Sequence, residues 1–392
     1  MPRKKLPIYL VIKKIIPFAL TLLLIGVLVS VKREFRYLKK EHRSFKKVYG
    51  IIEHKFRSSL PLMGGMPIPL QLRNIPLAES EGIVIDVKKI ALRGVLAPYN
   101  PSLIESGDHF FLFFRYDVFD HRCPLPFYTN IGCAELDKEF SQTEKICVRI
   151  DTKSRFSEDP RIVKVGEEFF LIFNDLGSEN LKHRTMHLAS LNLHDFSVGF
   201  VTNLDIKRGP VEKNWIPFEY AEPGEPSKLY IEYERMPRDI FCVPDPRVNQ
   251  IEPIVQSQTR SINSYHWAKA WGKTRGGTPA RKVGDEYLAF FHSSFRDDDE
   301  ISWYVMGAYT FEAKPPFRIT SISQYPILFK GMYDSPPLNT ANPALRCIFP
   351  AGFALENREG RELIHVACGE NDSAVKIVTI DKEALLKSLK KI

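Results

Sequence analysis

The sequence predicts an all-β body, a five-bladed β-propeller, preceded by a single N-terminal transmembrane helix. Three observations predict it. A short polar motif followed by an aromatic strand recurs five times, with the first four strand ends roughly 60 residues apart, a period in the propeller range. Hydrophobic 3.6-residue periodicity is nearly absent from the body, where short apolar runs are broken by Gly, Asp and Pro. An uncharged apolar run over residues 15–31 has Lys13 and Lys14 before it and Lys32, Arg33 and Arg36 after it.

Taken in order, residues 1–14 form a basic tail, 15–31 the anchor and 32–80 a basic stalk and Pro/Gly-rich linker. Residues 81–392 form the propeller. A cleaved signal peptide competes with the anchor, but no A-x-A site follows and the next residues are strongly basic. The stalk places Phe35, Leu38, Phe45 and Val48 among cations, a pattern that suits either an anionic membrane surface or a solvated stalk. The expected location is a single-pass membrane protein. Five basic residues before the span and eight shortly after it place the body in the cytoplasm by the positive-inside count, without deciding the side.

The net charge of +8 belongs to the leader. Residues 1–48 hold thirteen Lys and Arg against two Glu, which leaves 42 basic and 45 acidic residues beyond them. A nearly neutral body argues against nucleic acid as a partner. The six cysteines lack CxxC or Cys/His spacing, so no metal site is expected. Cys123, Cys133 and Cys147 are close enough for a hairpin disulfide, with small buried hydrophobes as the competing reading.

Inside the body, a strand is expected at residues 83–90. Asn100-Pro101-Ser102 precedes HFFLFFRYD, and Glu158-Asp159-Pro160 precedes EFFLIFND. Glu212-Lys213-Asn214-Trp215 precedes KLYIEYER, Gly276-Gly277-Thr278-Pro279 precedes EYLAFFHSS, and FPAG precedes ELIHVACGEND. In a propeller such motifs, read as loops, converge on one axial pocket. Residues 382–390 are expected to form a helix, and the acidic run 297–300 a solvated turn.

The series NPSL, SEDPRI, EKNWIPF, RGGTPAR, FFHSS, YVMGAYTFEA with PPFRIT, and FPAGF followed by GEND resembles the mannoside phosphorylases and related enzymes of glycoside hydrolase family 130. The likeness runs in order from about residue 100 to residue 381. The resemblance implies a five-bladed propeller that makes or breaks β-mannosidic bonds on a mannose-containing glycan. Inorganic phosphate or a sugar phosphate would be the co-substrate, with no other cofactor. It also implies that Asp159 is the catalytic acid, acting through a hydroxyl of the bound mannose. Breaking a glycosidic bond needs a proton on the bridging oxygen and stabilisation of the anomeric carbon, and phosphate needs cations.

The phosphate candidates are Lys213, Arg115, His292 and Arg281; a salt bridge and a core histidine are the competing roles of Arg115 and His292. The sugar candidates are Asn100, Arg161, Asn214, Trp215, Gly277, Thr278 and Asp372. The glycines are read as backbone approaching a sugar, and Trp215, Tyr233 and Trp303 as pyranose platforms or packing. Asn371-Asp372-Ser373 matches a glycosylation sequon, with a pocket role by resemblance preferred. Two alternatives stay open: hydrolysis, with Glu212, Glu234 or Glu370 as base for water, and a non-catalytic glycan-binding propeller.

Overall fold

The aromatic runs form strands whose two faces are both buried, so they read as continuous apolar stretches rather than as alternation. Phe110, Leu112 and Phe114 pack with Ala354, Ala367 and Val375, and the intervening Phe111 and Phe113 pack with Ile162, Leu171 and Phe173. The next run repeats the device. Leu171 and Phe173 face back, while Phe170 and Ile172 face Trp215, Leu229 and Ile231. Each run is thereby the middle of a sheet sandwiched between two others.

The computed structural model describes residues 68–392 except 121–122, 124–126, 146, 178–179, 205, 207–208, 236–237, 257–266 and 338–344, all within the unit Arg57–Ile392. The expected anchor and basic stalk lie outside the described residues; among the described ones no helix is long and apolar enough to cross a membrane. Three sheets are separate and antiparallel: β2 (Tyr99–Ser106), β3 (His109–Val118), β4 (Tyr128–Leu136), β5 (Val148–Arg149); β6 (Glu158–Val165), β7 (Glu168–Gly177), β8 (Asn180–Leu191), β9 (Val198–Leu204); β10 (Ile216–Tyr220), β11 (Lys228–Glu234), β12 (Asp239–Val243), β13 (Glu252–Gln256). A ten-stranded sheet holds two further units. In the first, β14 (Thr274–Gly276) and β15 (Arg281–Val283) both pair β16 (Glu286–Arg296), which pairs β17 (Ser302–Glu312) and then β18 (Ile319–Ser323). In the second, β19 (Leu345–Arg358), β20 (Arg361–Glu370) and β21 (Ala374–Asp381) are completed by the early strand β1 (Val84–Ile90). A short parallel contact, Ser302–Tyr304 with Leu345–Cys347, joins the two. The order is propeller-like: five antiparallel units, the last closed by the first strand.

Three of the polar motifs, at 100–102, 158–160 and 349–352, lie within strands rather than loops, whereas 212–215 and 277–279 lie outside strands as expected. All five lie on or just before the first strand of each unit. Asn100-Pro101 and Asp159-Pro160 fall at register shifts between β2 and β3 and between β6 and β7. Proline cannot donate to the ladder, and a bulge absorbs it. Asn100 (φ 46), Asp159 (φ 54) and Asn214 (φ 64) share left-handed backbone.

The expected helix is present as α1 (Lys382–Ser388), capped by Asp381, whose side chain accepts from the Ala384 amide at 2.8 Å. It stops early because β22 (Leu389–Lys391) pairs β18. The linker expected through residue 80 is packed from residue 68 onward: Leu72 and Ala78 are buried, and the Trp271 indole donates to the Gln71 carbonyl at 2.8 Å. All six cysteines are free, so no hairpin disulfide forms.

Candidate active site

Arg115, near the end of β3, collects the acidic groups of two units. Its guanidinium lies 3.1 Å from Glu158, 3.5 Å from Asp117 and 3.6 Å from Asp159, above the Tyr99 ring at 4.8 Å from its centroid. Burial works against its charge, but Glu158, Tyr99, Asp159 and Asp117 outweigh burial and lock the charge on. Tyr99 donates its hydroxyl to Asp117 at 3.0 Å, and Arg184 pairs with the same Glu158 oxygen, Oε1, that Arg115 approaches.

Asp159 is 7% exposed and accepts a hydrogen bond from the Asn100 amide at 2.8 Å. Burial pushes its carboxyl up; Arg115, the Asn100 amide, Arg161 and Lys213 overcome this and hold it below the ordinary aspartate value. Asp159 is therefore ionised at neutral pH. Its neighbours go the other way. Burial raises Glu158 despite Arg115, and raises Asp117 despite Arg115 and the Tyr99 hydroxyl.

Asp372 completes the cluster from the β20–β21 turn. Burial pushes it up to about 6 against the pull of Arg115, with Asp159, Asp117 and Glu158 adding to the rise. Its turn carries two successive left-handed residues, Asn371 (φ 50) and Asp372 (φ 49). Asn371 pins that turn: it accepts from the Cys347 amide at 2.8 Å and donates to the Tyr333 and Ser335 carbonyls at 3.0 and 2.6 Å. Fully buried and fully bonded, Asn371 is an architectural residue rather than a glycosylation site.

The cations gather on the next units. Lys213 and Arg275 are exposed and have no acidic partner among the described residues. They line a cavity of about 370 Å³ with Asn214, Tyr233, Glu234 and Gly276. His292 is 1% exposed beside it, its ring 4.4 Å from Phe349 and parallel to Tyr304. Burial, followed by Arg161, Arg275, Arg235 and Lys213, pushes His292 well below the ordinary histidine value, so its ring is neutral. Its Nδ1 is buried without a partner.

Several sequence candidates occupy other positions. Arg115 is the counter-ion of the carboxylates, so its guanidinium is already committed. Arg281 makes a bidentate pair with Glu105 and donates to the Phe353 carbonyl at 3.1 Å, in a different cavity of about 460 Å³ lined by Leu103, Ile162 and Tyr220. Arg161 is spent on architecture: it donates to the carbonyls of Gly277 (2.6 Å) and Asp159 (3.2 Å) and reaches the Asn214 side chain at 3.4 Å. Burial lowers it to about 10, with Asp159 opposing.

Gly277 and Thr278 serve packing rather than a sugar. A Cβ on Gly277 would stand 2.5 Å from the Phe290 carbonyl oxygen and 2.9 Å from that of Pro350. Thr278 is fully buried and its hydroxyl accepts from the Phe290 amide at 3.0 Å. Trp215 is 1% exposed and packs on Tyr233, and Trp303 is buried with its indole on Asp297, so neither offers a free face. The turn at 297–300 is organised by Asp297, which accepts from Asp299 and Ile301. Glu370 is tied to Lys376 at 2.7 Å, whereas Glu212 and Glu234 line the cation cavity. Among the described residues no group of His, Cys, Asp and Glu could hold a metal ion.

Sequence reasoning missed Asp117, Arg184 and Arg275. Asp117 follows Arg115 by two residues on one strand and so shares its face, a signal that was present. Arg184 carries no motif.

No family model matches the chain, and no curated protein matches it in sequence. Solved structures do match. A mannose phosphorylase of Leishmania mexicana, solved with a phosphate ion, is 15% identical with a TM-score of 0.54, over 80% of this chain and 93% of that one. The β-1,2-mannobiose phosphorylase of Listeria innocua is 16% identical with a TM-score of 0.50, over 79% and 97%. The fold is that of the mannoside phosphorylases. A further structure with this fold comes from glycoside hydrolase family 130, described as mannoside phosphorylases that include hydrolases of β-1,2-mannosidic linkages in Candida mannan; it is 13% identical, with a TM-score of 0.53 over 76% and 86%. At these identities the mannoside phosphorylase likeness is one of architecture.

Proposed function

We propose that this chain is a carbohydrate-active enzyme of the mannoside phosphorylase type, cleaving or forming β-mannosidic bonds with phosphate or mannose 1-phosphate. The observation that carries the reading is the adjacency of two charge sets. A carboxylate cluster around Arg115 offers Asp159 and Asp372 to a sugar and its bridging oxygen. Beside it the unpaired Lys213 and Arg275 and the neutral His292 offer an anion hydrogen-bond donors and charge. Carboxyls pushed apart in pKa, on left-handed backbone, are features of working sites rather than of passive binding. In this reading the segment 15–31 anchors the enzyme, so its substrate is a glycan met at a membrane.

The test is incubation of the full chain with a panel of β-mannosides, with and without inorganic phosphate, measuring mannose 1-phosphate and free mannose. Mannose 1-phosphate that requires phosphate and disappears in Asp159→Asn supports phosphorolysis. Phosphate-independent free mannose moves the reading to hydrolysis, which Glu212 and Glu234 beside the cation cavity would serve. No turnover of any mannoside or of mannose 1-phosphate leaves a binding module.

A further inference from the structure

The carboxylate cluster sits at the foot of an aromatic wall that the reading above leaves without a role. Alternation along β3 puts Arg115 and Asp117 on one face of the strand, and the next residue of that face is Phe119. The hairpin keeps its register past the ladder. Asp117 lies opposite Thr129 and Val118 opposite Tyr128, and the Phe119 ring meets Phe127 edge to face, 5.7 Å between centroids. Phe119 is 73% exposed, and no other phenylalanine or tryptophan is exposed among the described residues. Beside this pair, Tyr128 carries the Arg155 guanidinium 3.9 Å from its ring centroid and meets Phe156 at 5.3 Å. Phe156 leads into the cluster, since Arg184 donates to its carbonyl at 3.2 Å and also pairs with Glu158. The wall of Phe119, Phe127, Tyr128 and Phe156 thus runs from the carboxylates to the surface and ends in an open ring.

A lone exposed phenylalanine is ordinary surface. This one has a support and a place. It stands four residues beyond Arg115, about 13 Å along the strand, far enough for a second or third sugar of a bound chain. Phe127 braces it, and its exposure leaves ring surface for the C–H face of a pyranose, while Arg155 and Asp117 offer a donor and an acceptor to hydroxyls. The cation cavity belongs to other strands: Lys213 and Asn214 precede β10, and Arg275 lies on β14. In a single displacement by phosphate the attacking and departing oxygens take opposite sides of the anomeric carbon. Phosphate on the third and fourth units leaves the first two for the departing glycan.

We propose that Phe119, braced by Phe127, is a stacking platform for the sugars beyond the scissile bond, and that it selects longer β-mannosides over short ones. This rests on the phosphorylase reading above for the identity of the sugar. The platform acts through binding alone. Phe119 reaches no reacting atom, so its contribution falls on KM and grows with the length of the glycan.

The experiment compares wild type with Phe119→Ala and Phe119→Trp, as full chains in detergent micelles, on β-1,2- and β-1,4-linked manno-oligosaccharides of rising length with inorganic phosphate. Both variants should keep the wild-type Tm, since the ring is exposed. Wild type and Phe119→Trp are expected to gain in kcat/KM as the substrate lengthens, and Phe119→Ala to lose about ten-fold of that gain, in KM rather than in kcat. Turnover with the same length dependence in Phe119→Ala, or with none in wild type, overturns the platform and leaves the phosphorylase reading standing. Phe119→Trp also gives a readout independent of turnover. The native tryptophans Trp215, Trp267, Trp271 and Trp303 are buried, so the new indole is the accessible one. Its protection from acrylamide by an oligosaccharide, in a panel extended to gluco- and xylo-oligosaccharides, is expected even where no mannoside is turned over. Indifference to every oligosaccharide sinks the platform, and protection gained only on moving the chain from detergent into phosphatidylcholine vesicles replaces it with a lipid-facing ring.

Discussion

Arg115 neutralises one charge and faces three, at 3.1 to 3.6 Å, with all four side chains at most 13% exposed. Breaking a buried ion pair from one side strands the other partner, at about 3–5 kcal/mol. Arg115→Met is therefore expected to be inactive and to lower the denaturant midpoint, more at pH 8 than at pH 5. In wild type, Asp159 is depressed and adds stability above its unfolded pKa of about 4, stability that disappears only as pH falls through its lower folded value. Without Arg115 that carboxyl joins the raised ones, and each then costs stability as pH rises. Urea midpoints at the two pH values check this; equal losses would contradict it. Asp372 gives the converse case. Its folded pKa of about 6 exceeds the unfolded value, so the folded state loses stability from pH about 4 to about 6 and stays at that level above. Asp372→Asn should match wild type in Tm at pH 4 and exceed it at pH 7.5. An enzyme that melts higher while turning over less is the expected signature of a residue kept for chemistry.

At the scale of the element, the bulged first strand explains what could be read in advance. Asn-Pro and Asp-Pro were legible because proline disrupts a ladder and left-handed backbone favours Asn and Asp. The roles of Arg161 and the glycines were not legible, because they depend on which unit lies alongside. Arg161 leaves β6 to bond the Gly277 carbonyl, 116 residues away in sequence, and nothing local encodes that distance. Arg161→Ala would strand the Gly277 and Asp159 carbonyls in the interior, at about 1–3 kcal/mol each. Loss of several degrees in Tm, with mannoside turnover falling as β6 loosens, is expected from calorimetry and assay. Gly277→Ala should cost a comparable 1–3 kcal/mol, since its Cβ meets two backbone oxygens that cannot rotate away. A Gly277→Ala protein with unchanged Tm would return that glycine to the sugar-binding role the motif suggested.

For the whole molecule, closure decides where the body begins. The sequence marked a strand at 83–90 but not its partner, because pairing between β1 and β21 spans nearly the whole body. Val87 opposite Val378 and Ile90 opposite Val375 complete the fifth unit and cover an edge that would otherwise be open. Residues 68–83 add a second layer. The Ala78 amide donates to the Leu328 carbonyl at 2.7 Å, the Lys330 amide donates to Glu79 at 2.6 Å, and Leu72 is 3% exposed. Burying one such aliphatic side chain contributes about 1.5–3 kcal/mol. Losing β1, with Val84 and Ile90 buried in it, therefore removes a large part of the 5–15 kcal/mol typical of a domain. A chain begun at residue 68 should melt cooperatively. One begun at residue 80, near the boundary that composition suggests, should stay folded with a lowered Tm, since it keeps β1 but loses Leu72 and Ala78. One begun at residue 91 should aggregate through the uncovered edge of β21. Melting curves and sedimentation of the three chains test the closure, and a chain begun at residue 91 that stays monomeric and cooperative would show that the fifth unit holds without its N-terminal strand.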